Sequence, residues 1–259
     1  MDTTLSEEEV MVRETARKFL EAHCPTKLVR EMEKDPKGYP PALWKQAADL
    51  GWQGLALPEK YGGSEMPLTY LGLVLEEVGR AIAPLPLHST VVAALAVARD
   101  GNEALCSAVL PAVAAGDAVL TWAFHEQNPL LVPEAVQCQA VADGDDFVIN
   151  GNKLFVDNYV VADHCLVVSR TAPASDANAG LTLFLVDTKS AGLSASPLVS
   201  LAKDKMSEVT FENVRVPKGN MIGALHQGWP LAELMLEQAT ALLCAQMLGA
   251  TRKDAEMAI

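Results

Sequence analysis

The sequence predicts an α+β protein in which a region of strands lies between two helical regions. Three observations support this. Apolar residues recur at helical spacing up to about residue 117, the period falls to two between 118 and 225, and helical spacing returns after that. We therefore expect three domains: a helical N-terminal domain (1–117), an antiparallel β-barrel or sandwich middle domain (118–225), and the first helix of a C-terminal helical bundle (226–259).

Capping and breaking residues predict where the first helices begin and end. Ser6 followed by Glu9 has the spacing of a capping box, and Pro25 ends the helix that begins there. Pro40 and Pro41 predict the start of a second helix. The later segment LTYLGLVLEEVGRAIA is nearly all apolar, which predicts a buried helix. Two more Ala-, Val- and Leu-rich helices are expected before Gly116.

The middle region alternates β-type segments with turn compositions. The loops ADGDD, INGN, APASDANAG and KSAG separate runs rich in Val, Leu, Thr and Phe. Six to eight short strands at this spacing are typical of an antiparallel sandwich or barrel.

Composition excludes several classes of function. The 259 residues carry a formal net charge of −13, which argues against binding to nucleic acid or to an anionic membrane surface. The sequence contains no run of 18 apolar residues, so no membrane span is predicted. The acidic N-terminus is unlike a signal peptide. The five cysteines and five histidines show no metal-binding spacing. We expect a cytoplasmic protein with reduced cysteines and no metal site.

The last helix is apolar on several faces. Leu234, Met235, Leu242, Leu243 and Met247 cannot all face one partner. We expect this helix to be covered by later helices or by another subunit, so the chain looks cut short at its end.

Four motifs carry a resemblance to a known family. They are LPEKYGGSEMP at 57–67, LEEVGRA at 75–81, NGNKLFVDNYVVADHCLVVSRT at 150–171 and SEVTFENVRVPKGNMIG at 207–223. In this order they resemble motifs of the acyl-CoA dehydrogenase family over essentially the whole chain. The resemblance implies FAD between the middle and C-terminal domains, and oxidation of an acyl-CoA thioester to a trans-2-enoyl-CoA. It also implies electron transfer to an electron-transferring flavoprotein, and a homotetramer or heterotetramer.

The resemblance implies a set of flavin contacts, with two departures. Phe155, Val156 and Asp157 match a Trp-Ile-Thr motif whose Trp packs on the flavin ring and whose Thr points to flavin N5. Asp157 therefore places a carboxyl where the family has a hydroxyl. Trp122, Phe124 and His125 are candidate contacts to the edge of the ring, and core or rim strand residues are the alternative. After His125 the family's Gly-Ser, whose small size suits a phosphate, is absent.

The catalytic base is not evident in this sequence. The resemblance implies a Glu late in the C-terminal bundle, beyond Ile259, or in a minority of members a Glu ten residues before a Gly. Counting back from Gly249 gives Ala239. Glu237 is the nearby alternative, although two residues are about 200° apart around a helix. Arg80, Arg170 and Lys153 are weaker candidates for CoA phosphates, with solvent or a neighbouring carboxylate as the alternative.

Three functions remain open at this point. The first is an acyl-CoA dehydrogenase, or one subunit of a heteromeric one. The second is a non-catalytic partner subunit that keeps the fold and lacks a working flavin site. The third is an acyl-CoA oxidase or flavin monooxygenase on the same fold.

Overall fold

A computed structural model describes residues 4–173 and 180–259. The predicted loop APASDANAG lies largely outside these residues. The fold class is as predicted: helices, then strands, then a long helix. The helices are α1 (Glu7–His23), α2 (Thr26–Lys34), α3 (Pro41–Asp49), α4 (Leu68–Ala81), α5 (Leu87–Asp100), α6 (Glu103–Ala114) and α7 (Trp229–Ala258).

The capping box at α1 is present as predicted. The Ser6 hydroxyl accepts the Glu9 N–H at 3.2 Å, and the Ser6 N–H donates to Glu9 Oε2 at 2.8 Å. Pro25 does end α1, but the chain enters α2 at once. α2 was not predicted from the sequence: it is nine residues long and polar overall, and it buries no residue.

Among the described residues, eight strands form one sheet. Its order is β6-β7-β3-β2-β4-β5-β8, and β1 pairs with β4 beside this path. The strands are β1 (Leu120–Ala123), β2 (Gln139–Asp143), β3 (Asp146–Asp157), β4 (His164–Arg170), β5 (Leu181–Asp187), β6 (Leu193–Leu198), β7 (Met206–Pro217) and β8 (Met221–Ile222).

The predicted antiparallel barrel needs one correction, because the sheet is mixed and open. β4 runs parallel to β1 and, at one residue pair, to β2, whereas the other pairs are antiparallel. Between β1 and β4 the chain forms the β2–β3 hairpin. It then comes back to pair β4 beside β1, with both strands running in the same direction. Period-two patterning gives strand positions and does not reveal this pairing.

Two apolar cores lie on opposite faces of the sheet. One joins the helices to the sheet and includes Phe124, Leu166 and Leu183. The other lies within the curved sheet and includes Val156 and Val167. Because alternate residues of β4 enter different cores, β4 is buried on both faces.

The helices α4 and α7 make the closest helix contact in the described chain. A Cβ at Gly249 would lie 1.7 Å from the Glu76 carbonyl oxygen, and one at Gly79 would lie 1.8 Å from the Gln246 carbonyl oxygen. Only glycine fits at both positions, so the two backbones touch.

Ion pairs join α4 both to α1 and to α7. Glu77 is 1% exposed and accepts two hydrogen bonds from Arg17 of α1, at 2.7 and 3.0 Å. Glu76 pairs with Arg252 of α7, and Arg80 pairs with Glu256 at 2.6 Å. The predicted buried helix α4 therefore carries buried carboxylates, each matched by an arginine.

Among the described residues, α7 alone has the length and apolar composition of a membrane-crossing helix. It packs on α4 and α5, and its first half buries Met235 and Leu242. Leu243 and Met247 remain exposed on another face, as the multi-faced apolar pattern predicted.

Candidate functional site

The end of β3 presents an exposed aromatic side chain from a strained backbone. The ladder with β7 is irregular between Lys153 and Val156, and Phe155 lies there with φ +55°. A β-carbon is disfavoured in this left-handed region, so the surrounding structure must hold it there. The Phe155 side chain is 53% exposed. Strain and exposure of an aromatic residue together mark this position as a candidate for ligand contact.

Phe155 belongs to a chain of neighbouring rings that we call the aromatic platform. His125 lies at its centre, with ring-centroid distances of 6.4 Å to Phe155, 5.9 Å to Phe124 and 6.4 Å to Trp122. Burial, with a smaller contribution from Lys153, lowers the pKa of His125, so its ring is neutral at pH 7. The structure thus brings together four of the six residues predicted to contact the flavin.

The other two predicted residues lie on different faces of the sheet. Val156 is fully buried in the inner core with Ala123, so its side chain does not reach the platform. Asp157 is the next residue of the strand and points to the opposite face. This is the face of Trp122 and Phe124, which belong to the helix-side core.

Asp157 is a poorly solvated carboxyl. The Thr121 hydroxyl donates to its backbone carbonyl at 2.5 Å, and no hydrogen bond or ion pair to its carboxylate occurs within residues 4–173 and 180–259. Burial, with a smaller contribution from Asp204, raises the pKa of Asp157 to about 6. This carboxyl is therefore neutral below about pH 6 and ionised at higher pH.

An open groove of about 500 Å³ begins next to the platform. Trp229, the first residue of α7, lines it and lies 6.2 Å from Phe124, ring centroid to ring centroid. The groove runs between the loop before β2 and one face of α7. Its lining residues are Leu131, Trp229, Glu233, Leu236, Glu237, Thr240 and Ala241.

Glu237 and Ala239 face different directions, as the helical geometry predicted. Glu237 is exposed and lines the groove. Ala239 is buried against α5, where the His88 Nε2 lies 2.9 Å from its carbonyl oxygen. The position counted back from Gly249 therefore offers no carboxylate, and Glu237 does.

The loop that follows His125 is fixed by one buried ion pair. The Lys153 ammonium is fully buried, 2.7 Å from Glu126 Oε1 and 3.1 Å from the Phe124 carbonyl oxygen. Glu126 also accepts the N–H groups of Gln137 and Cys138, at 2.8 and 3.0 Å. These donors are consequently not free for a phosphate.

The arginines and lysine proposed for CoA phosphates are engaged within the protein. Lys153 binds Glu126, and Arg80 pairs with Glu256. Arg170 donates to the carbonyl oxygens of Val136 and Pro133, at 2.8 and 2.5 Å. No group of three or more His, Cys, Asp or Glu residues in the described ranges is placed to hold a metal ion.

Two residues of this site were not predicted from the sequence. Trp229 joins the platform to the groove. Glu126 accepts the hydrogen bonds that fix its loop. Its partner Lys153 is a charged residue at a position buried by strand alternation, which was a signal for a buried ion pair.

The chain thus joins a helical domain to a mixed sheet, with an aromatic platform and a groove beside the following helix. Models of the acyl-CoA dehydrogenase N-terminal domain and middle domain match residues 6–117 and 131–214. The chain belongs to the acyl-CoA dehydrogenase family.

Particular relatives confirm this assignment. Mitochondrial isovaleryl-CoA dehydrogenase of Pongo abelii is 31% identical over 86% of this chain and 55% of its own length. A variant of the Tcur3481-Tcur3483 steroid ACAD is 32% identical, with a TM-score of 0.85, over 98% of this chain and 66% of its own. A glutaryl-CoA dehydrogenase from Mycobacterium smegmatis, in complex with FADH2, is 26% identical, with a TM-score of 0.83, over 97% of this chain and 64% of its own.

The chain spans about half the length of several curated relatives that it matches, between 53% and 56% for three of them.

Proposed function

We propose that this chain belongs to an FAD-dependent enzyme that oxidises an acyl-CoA thioester to a trans-2-enoyl-CoA. The observation that carries the proposal is the aromatic platform at the mouth of the apolar groove beside α7. A flat ring system can stack on Phe155 and meet His125 and Trp122 at its edge. The family membership and the FADH2 complex of one relative support the choice of FAD.

The residues present fit the flavin ring better than its phosphates. Phe155 offers an exposed aromatic face, and His125 and Trp122 offer edges. In contrast, Leu130 and Leu131 expose large apolar side chains where a phosphate loop needs small residues. We propose that this chain holds the ring and that groups outside this loop hold the pyrophosphate. Bound FAD would accept the β hydride of the thioester.

The chain's own residues would position that reaction. The Lys153–Glu126 pair fixes the segment after β1 that carries His125 and the loop that carries Leu131. Leu236 and Trp229 give the groove apolar walls, which exclude water from a bound thioester. His125 is neutral and therefore adds no positive charge beside the ring.

We propose that a carboxylate outside residues 1–259 removes the α proton and that Glu237 only borders the groove. E237Q in the full-length protein is then expected to keep kcat within about threefold of the wild type, because no proton transfer is lost. General-base removal would instead lower kcat by about 100-fold or more. Such a loss, with E14Q unchanged as the exposed control, would make Glu237 the base.

A second candidate is a non-catalytic partner subunit. Ala239 at the alternative base position and the engaged N–H groups of Gln137 and Cys138 favour it. The heteromeric names of some structural relatives are compatible with such a subunit. We propose a cytoplasmic tetramer, homomeric or heteromeric, that passes electrons to an electron-transferring flavoprotein in the catalytic case.

The test is the absorbance of the full-length protein between 300 and 550 nm, before and after anaerobic addition of a panel of acyl-CoA thioesters. Flavin bands that bleach with one thioester would support the dehydrogenase and identify its substrate class. A protein that stays colourless and does not bind added FAD would favour the partner subunit. Bleaching that reverses only with oxygen, with formation of peroxide, would favour an oxidase.

A further inference from the structure

The carboxyl of Asp157 is an ionisable group on the platform face of the sheet at the end of β3. Val156 enters the inner core, so Asp157 faces the same side as Trp122 and Phe124. It lies two residues after Phe155, whose ring is the exposed part of the platform. Two residues of extended chain span about 7 Å, so a flat ligand stacked on Phe155 lies within reach of the charge on this carboxyl.

Among the residues that the structure describes, no positive charge compensates Asp157. On β1 the neighbouring group is the uncharged Thr121, and on β7 the paired residue is Met206. Towards α5 the adjacent Asn158 donates to the Ser89 hydroxyl at 3.2 Å. From the loop before β7 the charged neighbour is another carboxylate, Asp204.

The nearest lysine of that loop is engaged elsewhere. Lys205 donates to the Glu33 carbonyl oxygen at 2.9 Å and packs against Gly38, so it lies towards α2. Asp157 differs in this respect from Glu76 and Glu77, the buried acids of α4, each of which has an arginine partner. Burying a carboxylate without a positive partner is costly and shifts its pKa. A site that contains such a group therefore has a charge that changes with pH.

We propose that Asp157 makes the reduction of flavin on this platform pH-dependent, because its ionised form places a negative charge beside the ring. This inference rests on the proposed function, since it requires FAD on the platform. Reduced flavin is anionic near neutral pH, whereas the oxidised ring is neutral. An ionised Asp157 therefore disfavours the reduced state selectively.

The direction of the effect follows from the titration of Asp157. Its pKa is raised to about 6, so below pH 6 the group is neutral and does not oppose reduction. Above pH 6 it is ionised, and reduction becomes harder. Substitution by asparagine keeps the neutral state at every pH.

The experiment is a redox titration of the FAD-loaded full-length protein against a reference dye at pH 5 and pH 8. At a fixed potential, the ratio of reduced to oxidised flavin should be equal in wild type and D157N at pH 5. At pH 8 the ratio should be about tenfold lower in the wild type, as expected for one unit charge near the ring. D204N removes the neighbouring carboxylate, so the divergence should begin at a lower pH.

D145N, in the exposed turn between β2 and β3, is the matched control and should follow the wild type. D157S provides a second neutral variant, and circular dichroism checks that both fold. Equal ratios for wild type, D157N and D157S at pH 8 would overturn this inference and leave the proposed function standing. A full-length protein that takes up no FAD would overturn both.

Discussion

The α4–α7 contact and the aromatic platform differ in buried charge and in backbone strain. In the helix contact, the two closest backbone approaches fall at glycines, and the buried Glu76 meets Arg252. On the platform, Phe155 keeps a β-carbon at φ +55°, and no ion pair to Asp157 occurs among the described residues. The helix contact thus avoids steric clash and unpaired charge, whereas the platform retains a strained backbone and an unpaired carboxyl.

The largest effect is expected from G249A in the helix contact. Its Cβ would lie 1.7 Å from the Glu76 carbonyl oxygen and 2.9 Å from the Arg80 nitrogen, so α4 and α7 must separate. We expect a loss of about 3–5 kcal/mol in the free energy of unfolding, similar to severe core disruption. Urea unfolding followed by circular dichroism measures it.

G72A is the matched control on α4. Its Cβ would lie 3.8 Å from the Ala245 side chain, which is ordinary contact. Stability should rise by about 0.5 kcal/mol, because alanine is the better helix former. If both substitutions were equally tolerated, the helices would not be in contact as described.

The next effect is expected from E77Q, which tests whether the charge matching matters. Glu77 is buried and accepts two hydrogen bonds from Arg17. The Arg17 guanidinium is partly exposed and can be solvated when the Glu77 charge is removed. We therefore expect the free energy of unfolding to fall by about 2 kcal/mol, which is less than the cost of leaving a buried charge without a partner. Thermal and urea unfolding measure it.

E14Q removes a comparable carboxylate from an exposed pair with Lys18. Its effect should stay below about 0.5 kcal/mol. An E77Q protein as stable as E14Q would mean that packing alone secures α1 on α4.

A small effect on stability, with the opposite sign, is expected from F155N on the platform. Asparagine tolerates a left-handed backbone better than phenylalanine, so stability should rise by about 0.5 kcal/mol. FAD affinity, measured by fluorescence quenching, should fall at least tenfold because the stacking face is lost.

F155L separates these two effects, because it removes the aromatic face and keeps the β-carbon strain. It should lose FAD affinity as F155N does, without the gain in stability. If F155N and F155L both bind FAD as tightly as the wild type, Phe155 does not contact the flavin.

Sequence patterns were sufficient for the elements that bury a regular apolar face. The capping residues Ser6 and Glu9 located α1, and the apolar run of 68–81 located α4. Turn compositions located the strands. The parallel pairing of β1 with β4 was missed because it depends on contacts between residues more than 40 positions apart.

The candidate site was partly predictable for a similar reason. Motif matching placed Phe155, His125 and Trp122 near one another, and the structure joins their rings. It assigned Val156 to the same set, although strand alternation sends that side chain into the inner core. Trp229 was missed because it lies more than 70 residues from Phe155 and meets the platform only in three dimensions.

The backbone contacts of Gly79 with Gln246 and of Gly249 with Glu76 also constrain how the chain is made. The strands of the sheet lie between α4 and α7 in the sequence, so an insertion of strands splits the helical layer. During translation, α4 leaves the ribosome long before α7, and its paired face stays uncovered while the strands are synthesised. Binding of chaperones to nascent chains is therefore expected to concentrate on α4 until residue 249 has emerged.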